Sequence, residues 1–158
     1  MALRYQPKVG EVVECDFGQF PDPPITPPAN GRIPNEMRKR RLALVLNGRL
    51  PNGCALVVPL SSSHNADAVT RGFHVLLPAA LVPVTHAYDP RDRWAIAECI
   101  THVARARLHP LRDRNGPLTV YLPRDVVADI QRAVLRSCSG LSLLVANEAA
   151  QPAEAVSA

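Results

Sequence analysis

Short apolar segments, separated by stretches rich in proline and glycine, constrain the fold of this chain more than any other feature. Near-alternating or briefly continuous apolar runs predict strands at 9–17, 42–46, 54–60, 73–77 and 94–103. An apolar stripe at helical spacing predicts one helix, at 123–137. Because strands and helices do not alternate, a parallel nucleotide-binding sheet is disfavoured. The order predicts a mainly β fold, a small curved antiparallel sheet or barrel capped by a C-terminal helix.

The connections between these segments comprise one tight turn and two long loops. Pro51-Asn52-Gly53 is a strong turn signal, and it predicts that the second and third strands form an antiparallel hairpin. The proline-rich stretch 18–35 and the stretch 78–93 are long for a compact domain, which is typical of functional loops. We expect one domain over 1–146 and a disordered tail over 147–158.

Composition gives a weak indication about the partner. The formal net charge is +4, and nearly every cation is an arginine, since Lys8 and Lys39 are the two lysines. Arginine makes planar, bidentate contacts to phosphate, so this balance favours an anionic partner. A genome rich in G and C also encodes arginine in preference to lysine, and composition alone does not separate the two explanations.

The sequence predicts a cytoplasmic protein without membrane association. The polar N-terminus lacks the apolar core of a signal peptide, and no uncharged apolar stretch reaches the roughly 18 residues that a membrane span needs. The cysteines form no C-x-x-C pair and no histidine lies at zinc-finger spacing, so we expect thiols in a reducing compartment and no metal site. The cysteines are Cys15, Cys54, Cys99 and Cys138.

Two polar runs flank the predicted hairpin. The cations at 38–41 end a loop before the second strand, and the serines at 61–63 follow the third strand. In an antiparallel hairpin the start of one strand lies beside the end of the next, so Arg41 and Ser61 should share one edge of the sheet. Taken separately, the two runs are also typical of a solvated charged turn and an ordinary loop.

Together, Arg41 and Ser61 suit the cleavage of RNA. RNA carries its own nucleophile, the 2′-hydroxyl. An enzyme must therefore remove that proton, stabilise the charge that develops around phosphorus and protonate the leaving 5′-oxygen. A guanidinium fork with a hydroxyl donor stabilises this charge without demanding a metal ion or another cofactor.

The sequence resembles the PemK/MazF family of toxins over most of residues 9–140. The matching blocks follow the order of that family, and they are VGEVVECDFG, PNEMRKRRLALVLN, CALVVPLSSS, FHVLLP, AECITHVARARL and the terminal helix. The resemblance implies a small SH3-like barrel of the CcdB/PemK/MazF toxin type with a C-terminal helix. It also implies a homodimer whose groove binds single-stranded RNA, and a separate antitoxin protein as a partner.

The resemblance further implies a metal-independent endoribonuclease that leaves a 2′,3′-cyclic phosphate and a 5′-hydroxyl on messenger RNA. Arg41 matches the arginine that serves this family in acid/base catalysis and charge stabilisation, and Ser61 matches its phosphate-contacting Thr/Ser. RNA-binding side chains are expected at Glu36, Lys39, Arg40, Ser62, His64, Arg105 and Arg107. Leu42 and Asn35 stand where the family usually has proline, so altered specificity or lost activity stays open.

Three functions stay open on the sequence. The endoribonuclease toxin is favoured by the pairing of Arg41 and Ser61, and the others are a non-catalytic nucleic-acid-binding barrel and a toxin of the same fold that acts on a protein such as DNA gyrase. His64 is either a general base or an exposed loop residue. Trp94 is a candidate for stacking on a base, or else part of the core or a dimer interface. Glu98 is expected to pair with an arginine or to face solvent.

Overall fold

A computed structural model describes residues 1–19 and 35–143 of the chain. Most of the predicted loop at 18–35 and the whole tail at 147–158 lie outside the described residues. Helix α1 is Ala66–Thr70 and helix α2 is Arg124–Ser137. The strands are β1 (Glu11–Asp16), β2 (Arg40–Asn47), β3 (Cys54–Ser61), β4 (His74–Leu77), β5 (Arg93–Ile96), β6 (Thr101–Ala104), β7 (Leu108–His109), β8 (Leu111–Asp113), β9 (Gly116–Leu118) and β10 (Val120–Tyr121).

The main sheet is antiparallel, as predicted, and has eight strands. Its order is β10-β1-β2-β3-β5-β4, with β6 paired to the outer edge of β3 and β7 to that of β1. Strands β8 and β9 form a separate hairpin. The mainly β fold with a C-terminal helix is therefore confirmed. Within the described residues the sheet is not closed into a barrel, because no ladder joins β4 to β10.

Both faces of this sheet are covered, which explains why β2 has a continuous apolar sequence where a half-exposed strand would alternate. Leu42 and Leu44 point to one side and join the larger apolar cluster, to which Ile130 of α2 also belongs. Ala43 and Val45 point to the other side and join a second cluster. All five side chains are fully buried, so β2 is the centre of the molecule.

Helix α2 is confirmed, and its ends follow from local chemistry. Pro123 occupies the N-cap, where the missing N–H costs nothing, and the apolar stripe packs on the sheet. At the C-terminus the left-handed residue is Ser139, with φ of 58°. The Gly140 N–H donates to the carbonyl of Leu135 at 2.8 Å, which closes a Schellman motif. Neither helix of the described chain is long and apolar enough to cross a membrane.

The prediction of one continuous strand over 94–103 is wrong, because the structure has two shorter strands there. The chain forms β5, turns through a short 3₁₀ helix at Ala97–Cys99, and continues as β6. The break has a topological cause, because β5 pairs with the end of β3 whereas β6 pairs with its beginning. Strands β7 to β10 and helix α1 were not predicted, since each is too short for periodicity to show.

Candidate functional site

Arg41 and Ser61 line the same cleft, which has a volume of about 350 Å³. The cause is the register of the hairpin, in which Ala43 lies opposite Pro59. Continued by two residues, this register sets Arg41 at the start of β2 opposite Ser61 at the end of β3. The structure thus brings together the two groups that hairpin geometry predicted at one sheet edge.

The Arg41 guanidinium is held by the backbone that precedes it. Arg40 and Arg41 belong to β2 and not to the preceding loop, because the strand begins two residues earlier than predicted. The Nε of Arg41 donates to the carbonyl oxygen of Arg38 at 2.9 Å, which fixes the plane of the side chain. Within residues 1–19 and 35–143, Arg41 has no ion pair with a carboxylate. Its terminal amino groups are therefore available to an anion in the cleft.

The Ser61 hydroxyl lies at the wall of the cleft and is nearly buried, with 8% of the residue exposed. Its Oγ accepts a hydrogen bond from the backbone N–H of Ser63 at 3.2 Å and lies 3.2 Å from the Ser63 Oγ. Because the N–H bond occupies a lone pair of Oγ, the hydroxyl hydrogen of Ser61 can turn to the neighbouring hydroxyl or to a ligand. Ser61 is thus an oriented donor.

Lys39 and Arg40 add two further cations to the cleft. Lys39 has φ of 69°, and its backbone bonds to Phe17 and Gly18 hold the start of β2 against β1. Arg40 makes an ion pair with Glu14 at 3.1 Å, and its NH2 lies 3.4 Å from Nε2 of His109. Both side chains are exposed, so they can meet a ligand at the mouth of the cleft.

The opposite wall of the cleft comes from the loop before β5, whose individual side chains sequence reasoning did not assign to the site. Tyr88, Asp89, Arg91 and Arg93 line the cleft. Burial, followed by the charge of Glu14 and a hydrogen bond to it, raises the pKa of Tyr88 to about 12, so the phenol stays protonated at neutral pH. The available signal was the charged run Asp89–Arg93 at the end of a long loop.

A second cavity, of about 520 Å³, adjoins the cleft. Arg40, Ala87 and Tyr88 line both spaces, so the two lie side by side. The second cavity is otherwise lined by rings and polar groups, among them Glu14, His86, His109 and Arg112. It therefore offers flat apolar faces together with hydrogen-bonding groups.

Three of the predicted RNA-binding residues line the cleft and four do not. Lys39, Arg40 and Ser62 are in its lining, whereas Glu36, His64, Arg105 and Arg107 are not. Arg107 donates to the Asp16 carbonyl at 3.0 Å. Arg105 follows Ala104, which lies opposite Cys54, the first residue of β3. Arg105 is therefore at the other end of β3 from Ser61.

His64 and Glu98 have partners that the sequence did not indicate. The exposed His64 ring lies against Trp94, with ring centroids 4.4 Å apart. Glu98 is exposed, as one of the two alternatives had it, and it also accepts a hydrogen bond from Nε2 of the buried His74 at 2.7 Å. Among residues 1–19 and 35–143, no group of three His, Cys, Asp or Glu side chains could hold a metal ion.

Comparisons with known proteins agree with this architecture. Residues 8–138 match the family described as PemK-like, MazF-like toxin of type II toxin-antitoxin system. An uncharacterized protein of Haemophilus influenzae is 45% identical over 141 residues, covering 89% of this chain and 96% of that protein. The uncharacterized protein YifN of Escherichia coli K12 is 42% identical over 148 residues, covering 91% of this chain and 99% of YifN.

A solved structure shows the same fold. The crystal structure of MazF (Form-I) from Deinococcus radiodurans superposes with a TM-score of 0.55 at 23% sequence identity, covering 89% of this chain and 98% of that chain. The family match spans most of the chain, from β1 through α2. This chain is therefore a member of the PemK/MazF family of type II toxin–antitoxin toxins.

Proposed function

We propose that the chain is a toxin that acts as a metal-independent, sequence-selective endoribonuclease on single-stranded messenger RNA. The observation that carries the proposal is the cleft lined by a guanidinium from β2 and a hydroxyl from β3. Membership of the PemK/MazF family supports the same activity.

The proposed reaction is an internal transesterification. The 2′-oxygen forms a bond to phosphorus, and the bond between phosphorus and the 5′-oxygen breaks. The 2′-hydroxyl gives up its proton, the 5′-oxygen gains one, and the products are a 2′,3′-cyclic phosphate and a 5′-hydroxyl. A guanidinium is protonated at neutral pH. Arg41 therefore stabilises the charge on the nonbridging oxygens and can protonate the 5′-oxygen, while Ser61 donates to the phosphate.

The charge around the cleft suits a phosphodiester chain. The lining contains five cations, Lys39, Arg40, Arg41, Arg91 and Arg93, and one carboxylate, that of Asp89. Such an excess attracts RNA and holds its backbone. The adjoining cavity suits a base that flanks the scissile phosphate, because single-stranded RNA is recognised by stacking and by bonds to base edges. This arrangement would supply the sequence selectivity.

We also propose two protein partners. One is a separate antitoxin, whose acidic segment would cover the cationic cleft and fold on binding. The other is a second copy of the chain, in a homodimer whose groove admits the RNA. Light scattering of the purified chain tests for the homodimer. Titration of RNA cleavage with an acidic antitoxin peptide tests for inhibition by the antitoxin.

The decisive experiment incubates a long transcript with the purified chain in EDTA, beside the variants Arg41→Ala and Arg132→Ala. Arg132 is a matched control, because it is an exposed arginine on α2 that pairs with Asp129 at 2.9 Å, outside the cleft. We expect the wild type and Arg132→Ala to cut, with cyclic-phosphate and 5′-hydroxyl ends, and Arg41→Ala to leave the transcript intact.

Other outcomes distinguish the remaining functions. Binding of the transcript without any cut would indicate a nucleic-acid-binding module. An intact and unbound transcript together with stalled DNA gyrase would indicate a toxin directed at a protein. Cleavage that Arg41→Ala retains in full would remove Arg41 from the reaction.

A further inference from the structure

Arg93 is a buried cation in the wall of the cleft. Only 7% of the residue is exposed, although arginine is among the residues that are rarely buried without a charged partner. Within the described residues, no carboxylate lies within ion-pair distance of its guanidinium. NH2 donates to the backbone carbonyl of Asp89 at 3.1 Å, and the guanidinium lies 5.4 Å from the centroid of the Tyr88 ring.

The carboxylate of Asp89 is already engaged. Asp89 gives Arg93 its backbone oxygen, while the Asp89 carboxylate pairs with Arg91. Burial and the charge of Arg91 lower the pKa of Arg93, and these effects outweigh the opposing influence of Tyr88 and Asp89. Burying a charge without a counter-ion costs free energy. An anion that enters the cleft would offset this cost, because it would supply the counter-charge that no carboxylate of the described residues supplies at ion-pair distance.

The fold sets Arg93 on the side of Ser61 opposite Arg41. Strand β3 lies between β2 and β5, and Ser61 pairs with Trp94, the residue after Arg93. Three strands that are neighbours in the sheet, β2, β3 and β5, therefore bring a guanidinium, a hydroxyl and a second guanidinium to one cleft. A phosphate held by Ser61 would have a cation on each side.

We propose that Arg93 is a second phosphate-binding residue, which donates to a nonbridging oxygen of the RNA phosphate held by Arg41 and Ser61. The cleft is then a two-arginine clamp for a phosphoryl group. The RNA in this inference rests on the proposed function, whereas the anion site itself does not. Arginine suits this task because its planar fork makes two parallel bonds to oxyanions.

The first test measures binding of inorganic phosphate to the whole chain by calorimetry, with no RNA present. The variants are Arg93→Gln and Arg93→Lys, and the control is Arg71→Gln. Arg71 also lies over an aromatic ring, 4.5 Å from the Phe73 centroid, but it is exposed, pairs with Asp67 and is not in the cleft lining. We expect Arg93→Gln to weaken phosphate binding by about 10-fold to 100-fold, as the loss of charge-assisted bonds predicts, and Arg71→Gln to leave it unchanged.

Arg93→Lys separates binding from folding, because it keeps the charge and most of the stem. We expect it to fold with the thermal midpoint of the wild type and to bind phosphate with intermediate affinity. If Arg93→Gln does not fold, the lysine variant decides the matter. Phosphate binding by Arg93→Lys that equals that of the wild type would overturn the proposal, and so would a wild type that binds no phosphate.

The second test uses RNA cleavage. We expect kcat of Arg93→Ala to fall by about 10-fold to 100-fold and to recover partly when guanidinium ion is added, which a purely structural loss would not allow. An unchanged kcat would contradict the proposed role in the reaction. The two proposals can fail separately. If the chain cuts no RNA but binds phosphate in a way that depends on Arg93, the proposed nuclease activity is refuted and the anion site is retained.

Discussion

Replacement of Ser61 by alanine tests the proposed site most directly, because it removes one hydroxyl from a nearly buried position. The Oγ of Ser61 accepts a hydrogen bond from the Ser63 N–H. This bond uses a lone pair and not the hydroxyl hydrogen, so the hydrogen can point to a phosphate. A hydrogen bond from a neutral donor to a charged acceptor contributes about 1.5–3 kcal/mol. If this bond strengthens as charge develops on the phosphate, kcat should fall by roughly 10-fold to 150-fold.

The effect on folding should be much smaller. Ser61→Ala deprives the Ser63 N–H of its acceptor, but Ser63 is exposed and water can replace the lost bond. We expect the free energy of unfolding to fall by less than about 1 kcal/mol. Denaturant unfolding measures this change, and cleavage of a labelled oligonucleotide around a mapped cut site measures kcat and KM.

Ser63→Ala is the matched control for this prediction. It removes the neighbouring hydroxyl, 3.2 Å from the Ser61 Oγ, and keeps the backbone N–H that orients Ser61. We expect its kcat to stay within about fivefold of the wild type, because a neutral hydrogen bond contributes on the order of 1 kcal/mol. A kcat of Ser61→Ala within twofold of the wild type would refute the reasoning, and so would equal losses in both variants.

Three further predictions concern two residues of the cleft and the buried Glu11 at the start of β1. Since the pKa of Tyr88 is raised from 10.0 to about 12, its stabilising contribution should be complete below pH 10 and disappear as pH rises towards 12, and Tyr88→Phe should flatten that slope in denaturant unfolding. Glu11, 1% exposed, accepts bonds from the Tyr5 hydroxyl and the Lys8 N–H, so Glu11→Gln should lower the unfolding free energy by about 1–3 kcal/mol in the same assay. Arg40→Ala should change which sites of a transcript are cut more than it changes the fastest rate, as mapping of 5′-hydroxyl ends would show.

The parts of the fold and site that the sequence predicted depend on local pattern. The turn signal at Pro51-Asn52-Gly53 predicts a hairpin, and in a hairpin the start of the second strand, with Arg41, lies beside the end of the third, with Ser61. The exact pairing could not be predicted, because the register shifts between Val45 and Asn47. The central strand was recognisable because five consecutive apolar residues can be buried only in a sheet that is covered on both faces. Each of these inferences needs only residues that are close in sequence.

The parts that were missed depend on tertiary contacts. Tyr88 lies in a loop with no periodicity and Arg93 is the first residue of β5, and both reach the cleft because β5 pairs with the end of β3. The break after Ile96 is also invisible in the sequence, since the apolar residues on both sides of the turn are equally compatible with one long strand. The histidine partner of Glu98 was not predicted, because His74 lies on β4, a different strand.

Arg40 and Arg41 are adjacent residues of β2, yet their guanidinium groups have different surroundings. Successive side chains of a strand point to opposite faces, so the two guanidinium groups meet different partners. Arg41 is anchored by the Arg38 carbonyl beside Ser61, whereas Arg40 binds Glu14 and borders the second cavity. The run of cations therefore has two environments, since Arg41 lines only the cleft and Arg40 lines both the cleft and the second cavity. Both residues belong to β2, which begins at Arg40. The alternation of side chains along the strand, and not the conformation of the preceding loop, therefore gives the two guanidinium groups different surroundings.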